Sequence, residues 1–421
     1  MNFEISQNFK TIECQKFCDR VADGTHSSPK KTVVGKRLVT SKNVKSGRLD
    51  LSSSYMISVE DFDSINKRSK VDQWDLLLTM IGTVGEVCLV TEPAPDFAIK
   101  NVGLLKCGDE LRAKWLYYFL RSPQGKKLIE ERKTGSTQQY VSLTQLRKLP
   151  ISYPTNKKVM HEINQILGCI DDQITLLHET NSTLEAIAQI LFKSWFVDFD
   201  PVRAKQEGKK PEGMDEATAA LFPDSFEQSD SGEIPKGWES KLLGSLVVPK
   251  RGKIITRATI IDGNIPVVAG GIDPAYFHNQ SNVSSPVVTI SSSGNAGFVR
   301  LYQQDIWASD CSYISKEQSI LVFYWYLLLK SNQEKIYLMR HGAVQQHVSP
   351  SDLMRLNVFF PNSLEIVSIF NEIVSQLFKK IELGEAQIKT LTSLRDSLLP
   401  RLISGQLLIA DAEAEIEKVS V

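Results

Sequence analysis

The chain lacks most of what would place it in a familiar class. Over 421 residues it has no apolar run near the ~18 residues a membrane helix needs, so no membrane span is expected. Its start, MNFEISQNFK, has no basic region followed by an apolar stretch; no signal peptide is expected, and the expected location is the cytoplasm. Six cysteines (14, 18, 88, 107, 169, 311) are scattered without a C-x-x-C. Cys14 and Cys18 stand four apart with no second ligand pair, so reduced thiols in packed regions are expected rather than disulfides or zinc. Net charge is zero, 49 basic against 49 acidic residues, which excludes a protein that coats nucleic acid by charge alone.

Catalytic signatures are missing too. There is no G-x-x-x-x-G-K-[ST] phosphate loop, no G-x-G-x-x-G after a strand, no H-E-x-x-H and no G-x-S-x-G. The Asn/Asp-Pro-Pro-Tyr/Phe tetrapeptide of amino-methyltransferases is absent as well. Asp96 with Lys100, and Asp200 with Glu207 and Lys209, loosely match the acid–lysine grouping of magnesium nucleases. The second group falls in a stretch whose composition would not hold a metal, so nuclease chemistry is not expected. His341 and His347 flank a repeated glutamine pair, but the matching positions of the other half hold no histidine. A catalytic base would not be missing from one of two parallel sites.

What is present is a duplication. Gly135-Ser136-Thr137-Gln138-Gln139-Tyr140-Val141-Ser142 returns 207 residues later as Gly342-Ala343-Val344-Gln345-Gln346-His347-Val348-Ser349. Leu146 and Leu353, Pro154 and Pro361, Asn164 and Asn371, and Leu184 and Leu391 match at the same offset. Solenoid periods are far shorter, about 20–50 residues, so this is a duplicated domain with the helix that follows it. Each half carries strand, G-x-x-G, strand: Asp75–Ile81, Gly82-Thr83-Val84-Gly85, Val87–Val90; then Pro286–Ile290, Gly294-Asn295-Ala296-Gly297 and Val299. That pattern predicts a tight hairpin. An aromatic helix follows in each, Trp115–Leu120 and Trp325–Leu329, whose contiguous apolar run reads as core.

The strongest periodicity comes after each repeated segment. Ile163, Ile170, Leu177, Leu184 and Leu191 fall seven apart, with Leu167, Ile174, Asn181, Ala188 and Trp195 four residues after each. The second half gives Phe370, Leu377, Gly384, Leu391, Leu398 and Val374, Ile381, Ile388, Arg395, Leu402. These are heptad seams. A helix of about 40 residues is ~60 Å long, more than one small domain needs. Because the first helix must deliver the chain to the second half and the second must return, antiparallel packing with pseudo-two-fold symmetry is expected. Asn181, Gly384 and Arg395 interrupt the seams, either to set register or to mark where another subunit's helix docks.

Charge is unevenly placed. Lys30, Lys31, Lys36, Arg37, Lys42, Lys45 and Arg48 form an acid-free segment, and Lys241, Lys250, Arg251, Lys253 and Arg257 form another in the second half. Two such segments in comparable positions point to nucleic acid. The DNA-contact candidates are Lys30, Lys31, Lys36, Arg37 and Lys42, then Lys250, Arg251, Lys253 and Arg257. Gln138, Gln139, Gln345 and Gln346 join them, since an amide can bond to adenine or to phosphate. Halves that read different sequences should differ at base-contacting positions, which favours phosphate contact or a side chain bracing the turn into a following strand.

At this point the residues resemble a known family. ILFKSWFVDFDPVRAK (190–205), GMDEATAALFPDSF (213–226), IPKGW (234–238), LRDSLLPRLISGQL (394–407) and Val21–Pro29 are similar to the specificity subunits of Type I restriction–modification systems, across essentially the full chain. The resemblance implies a mixed α/β (α+β) fold: two target-recognition domains separated by two long antiparallel helices forming a coiled coil. On it, domain one spans 1–154, the first conserved helix 155–200, a linker with one short helix at 215–221 spans 201–235, domain two spans 236–360, the second helix 361–409, and an acidic tail 410–421. It further implies a non-catalytic subunit in which each domain reads one half of a split, asymmetric target in double-stranded DNA, while the helices set half-site spacing and dock two methyltransferase subunits. Restriction subunits join for cleavage. No cofactor is expected in this chain; S-adenosylmethionine, ATP and magnesium belong to partner subunits. The alternatives are a structural coiled-coil scaffold, which leaves the paired basic segments unexplained, and a free-standing DNA-modifying enzyme, which lacks a cofactor motif.

Overall fold

Both heptad seams become helices of 40 residues, Lys157–Phe196 and Leu364–Ile403. The computed structural model describes residues 8–419 apart from 46, 137, 230, 231 and 343, so Thr137 and Ala343 of the repeat lie outside the described residues. The chain divides into two compact units, residues 1–175 with 388–421, and residues 176–387. Each unit contains part of both helices.

In the first unit, Phe9–Glu13 pairs antiparallel with Pro150–Pro154, the strand that leads into the long helix. A four-stranded antiparallel sheet runs in the order Arg20–Asp23, Val102–Lys106, Asp75–Thr79, Val87–Leu89. A three-stranded sheet has Lys36–Val39 at its centre, antiparallel to Tyr55–Ile57 and parallel to Phe97–Ile99. The aromatic helix Glu110–Arg121 buries Trp115, Leu116 and Phe119 against the larger sheet, in a core that also takes in Ile163, Leu167, Ile170, Leu398 and Leu402 from the long helices.

The second unit repeats the topology of these three sheets. Trp238–Leu242 pairs with Asn357–Pro361. The four-stranded order is Lys250–Arg251, Cys311–Ser315, Val287–Ser291, Val299–Tyr302, and the three-stranded sheet again joins one antiparallel and one parallel neighbour, Tyr276–His278 and Trp307–Ala308, to a central Ile265–Val268. Apart from the repeated Gly/Gln segment and the strands that end at Pro154 and Pro361, the strands of the halves do not align at the 207-residue offset, yet they pair in the same order. The predicted hairpins are present in both units, with Gly85 N bonding Thr79 O in one and Gly297 N bonding Ser291 O in the other.

All twenty seam positions are buried or half-buried. In the second unit the long helices run antiparallel: Asn181 faces Gly384, and Trp195 meets Phe370 with ring centroids 5.3 Å apart. The off-pattern residues have partners within the chain. Asn181 Nδ2 bonds Ile381 O at 3.4 Å, and a Cβ on residue 384 would lie 2.4 Å from Asn181 Oδ1. In the first unit, Arg395 meets Asp171 at 2.8 Å, which also takes Arg121 at 3.2 Å. These contacts set register, as polar seam residues do.

Segment 201–235, expected to be a linker with one short helix, holds more structure than its polar composition suggested. The helix Glu216–Ala220 falls where expected, but Asp200–Gln206 is also helical, and Phe226–Ser229 pairs with Gly232–Pro235. Val202, Met214, Ala219 and Phe222 are buried in the second unit's core beside Trp195, Phe196 and Phe199. Burial of these apolar side chains orders the segment, with half-buried Lys205 donating to the carbonyls of Ala219 and Phe222. A helix, Ile409–Val419, takes in most of the acidic tail expected at 410–421 and is tied back by Arg401 to Glu415 at 2.8 Å. Among the described residues no helix is long and apolar enough to cross a membrane.

Candidate nucleic-acid interface

Sheet register brings three separate segments to one edge. In the first unit Arg20–Asp23 and Asp75–Thr79 both run antiparallel to the strand between them, with Asp23 opposite Gly103 and Thr79 opposite Val102. Their C-terminal ends therefore lie at the same end of the sheet. The basic opening leaves from one and the glycine hairpin from the other. The repeated loop joins them there: Val141 N donates to Met80 O at 3.0 Å, and Ile81 bridges Tyr140. The second unit has the same arrangement, with Arg251 opposite Ser312, Ser291 opposite Cys311, and Val348 N donating to Ser292 O at 3.1 Å.

The repeated loop is built alike in both units. Thr134 pairs with Tyr140, and His341 with His347. Gly135 and Gly342 have φ of +97° and +107°, and a Cβ there would lie 2.4 Å from Gln138 O and 2.2 Å from Gln345 O, so only glycine fits. Val141 and Val348 are buried. Ser142 and Ser349 are N-caps with full capping boxes on short helices, Leu143–Arg147 and Pro350–Met354. A helix, not the expected strand, therefore follows the loop. The glutamines do not brace this turn: Gln138, Gln139, Gln345 and Gln346 are exposed, and among the described residues their side chains make no hydrogen bond.

The basic candidates divide by what they touch. Lys30, Lys42, Arg251, Lys253 and Arg257 are exposed and have no side-chain partner among the described residues. Lys31 lies over the Tyr55 ring at 5.2 Å, and Lys250 is 3.8 Å from Glu317. Lys36 bonds Asp96 at 2.8 Å, while half-buried Arg37 donates to Leu51 O and Ser54 Oγ and holds its own loop. Three cations the sequence reading did not single out as contacts stand at the sheet edge. Arg68 bonds Gly24 O at 2.9 Å, Lys100 bonds Ser28 Oγ, and Arg340 stacks 3.8 Å over Tyr337 while its Nε donates to Ala296 O of the hairpin. Only the register that folds Val102 onto Thr79 brings Lys100 there; in sequence the one available signal was that Arg340 immediately precedes the repeated loop.

Asp96 is committed to Lys36 rather than Lys100, and Glu207 with Lys209 is an exposed pair. Among the described residues no group of three or more His, Cys, Asp or Glu could hold a metal ion.

A family model described as the Type I restriction modification DNA specificity domain matches residues 27–186 and, a second time, 235–393. The chain belongs to this family. The duplication is thus the family's specificity domain present twice, each match ending inside a long helix. The chain is 27% identical over 347 residues to the Type I restriction enzyme HindI specificity subunit of Haemophilus influenzae, covering 67% of this chain and 74% of that protein. It is 24% identical over 363 residues to the MjaIX specificity subunit of Methanocaldococcus jannaschii, covering 80% and 78%. The crystal structure of the Type I S subunit from M. genitalium shares the fold, with a TM-score of 0.55 at 18% identity over 96% of this chain and 98% of that one. The strings that carried the resemblance now have a structural reason. Phe192, Trp195, Phe196 and Phe199 of ILFKSWFVDF, and Trp238 of IPKGW, are packed together in the second unit's core.

Proposed function

We propose that this chain is the sequence reader of a Type I restriction–modification complex, with each specificity domain binding one half of a split, asymmetric duplex target. The observation that carries the reading is the edge built twice from a glycine hairpin, a glutamine loop and a basic segment, at the same end of the same sheet in units whose remaining loops differ in sequence. Two like frames with unlike loops suit two unlike half-sites. The methyl transfer and cleavage belong to partner subunits: two methyltransferase subunits docked on the long helices, and restriction subunits. S-adenosylmethionine, ATP and magnesium are theirs, and the complex works in the cytoplasm. Each helix is ~60 Å long at 1.5 Å per residue, enough to span more than one ~34–36 Å turn of B-DNA, and sets the separation of the half-sites.

The test is to map methylated bases in a genome carrying this chain with its methyltransferase partner. A split methylated motif is expected, lost when the chain is deleted; absence of such a motif would refute the reading. Inserting four residues into the first helix seam is expected to change the spacing between the half-sites, and unchanged spacing would refute the ruler.

A further inference from the structure

We propose that the two glutamine loops grip the sugar–phosphate backbone of duplex DNA and contribute affinity without sequence preference, leaving base reading to the loops that differ between halves. The inference rests on the reading of the chain as a DNA-specificity subunit and assigns one part of its surface a distinct task. Every other repeated position of the loop has an internal reason. The glycines adopt a backbone conformation closed to other residues, the valines are buried and bonded to the hairpin strand, and the serines cap helices. The four glutamines alone have none, being exposed and unbonded. A polar pair retained twice on identical frames and used by nothing inside the protein is available for a ligand.

That ligand must be common to both halves. Base edges of an asymmetric target differ between half-sites, whereas phosphates and sugars are the same at each. Glutamine suits the task, because its amide NH2 donates two hydrogen bonds and a phosphate oxygen only accepts. The surroundings fit an anion as well. Arg68 and Lys100 stand at this edge in the first unit; Arg251, Lys253 and Arg340 stand there in the second. A methyltransferase surface is the competing occupant, but the cations at both edges favour the polyanion.

The experiment uses the full chain assembled with its methyltransferase subunits, and compares Q138A/Q139A, Q345A/Q346A and the quadruple variant with the parent. Binding is measured to a duplex carrying the mapped target and to a scrambled duplex of equal length. Each double variant should bind both duplexes about tenfold more weakly, the loss of one or two ordinary hydrogen bonds. The methylated motif should not change. The salt dependence should also hold, because an amide displaces no counterion. Duplexes with single methylphosphonate substitutions should show a sensitive phosphate at the same place relative to each half-site, and that sensitivity should vanish in the matching variant. A changed motif, or a loss confined to the target duplex, would show base reading and overturn the proposal. So would unaltered binding, failure of the variant to assemble, or a fall of several degrees in Tm, which would mean the glutamines brace the loop. If instead the parent complex does not prefer its target, the broader specificity reading fails rather than this one.

Discussion

Asp171 is the charged residue whose removal should cost most beside the helical seam of the first unit. Its carboxylate lies between two guanidinium groups, Arg395 at 2.8 Å on the second long helix and Arg121 at 3.2 Å on the aromatic helix. Side-chain exposures are 20% for Asp171, 14% for Arg395 and 20% for Arg121. Asp171→Ala leaves two poorly solvated cations facing one another, with only the more exposed Asp396 beside Arg395. Breaking a fully buried pair costs about 3–5 kcal/mol, and the remaining solvent access reduces that to about 2–3 kcal/mol here. Arg395→Leu should behave quite differently. It leaves Asp171 paired with Arg121 and places an apolar side chain at a heptad position, so its stability should stay within about 1 kcal/mol of the parent. Urea denaturation followed by circular dichroism gives both values. In thermal unfolding, for a domain of this size, Asp171→Ala should lower Tm by about 5–10 °C. In the double variant Arg395→Leu should recover part of the loss, because one of the two unpaired cations is gone. If Arg395→Leu costs as much as Asp171→Ala, the carboxylate is not the hub of this contact and the reasoning is wrong.

Other outcomes follow from the same structure. Ser142→Ala and Ser349→Ala each remove a helix N-cap and should each cost about 1 kcal/mol in urea denaturation, alike in the two halves because the capping boxes are alike. Gly125→Ala would bring a Cβ within 2.1 Å of the Phe119 carbonyl oxygen, a backbone atom that cannot swing aside, so a loss of about 1–3 kcal/mol is expected against the gain that alanine normally brings to a helix. Of the six thiols only Cys169 is exposed, while burial pushes Cys88 and Cys311 up to about 12. Iodoacetamide on the native protein near pH 8 should therefore label Cys169 alone, and peptide mass spectrometry showing labelled Cys88 or Cys311 would contradict the packing.

Legibility in the sequence followed the range of the interaction. The long helices were readable because a heptad repeat states locally which face is buried, and the hairpins because glycine pairs mark turns between short apolar strands. Segment 201–235 misled because its composition is that of a loop, while its order comes from Val202, Met214 and Phe222 entering a core assembled from distant strands and helices. Arg37 read as a free cation in a basic segment; its bonds to Leu51 and Ser54 depend on how the chain turns back on itself.

By itself the sequence determined that the chain is duplicated, that each copy ends in a long amphipathic helix, and that no nucleotide- or metal-binding signature accompanies them. Those features are written in periodicity, spacing and residue type, which act between neighbours along the chain. Tertiary structure alone decided that halves with unaligned strands share one topology, and that Arg395 and Gly384 have partners within the chain. It also decided that the glutamine loop, the glycine hairpin and the basic segment meet at one sheet edge. The reason is strand register: a pairing such as Val102 with Thr79 joins residues far apart in sequence through backbone hydrogen bonds that any side chains can share, so residue types do not announce it.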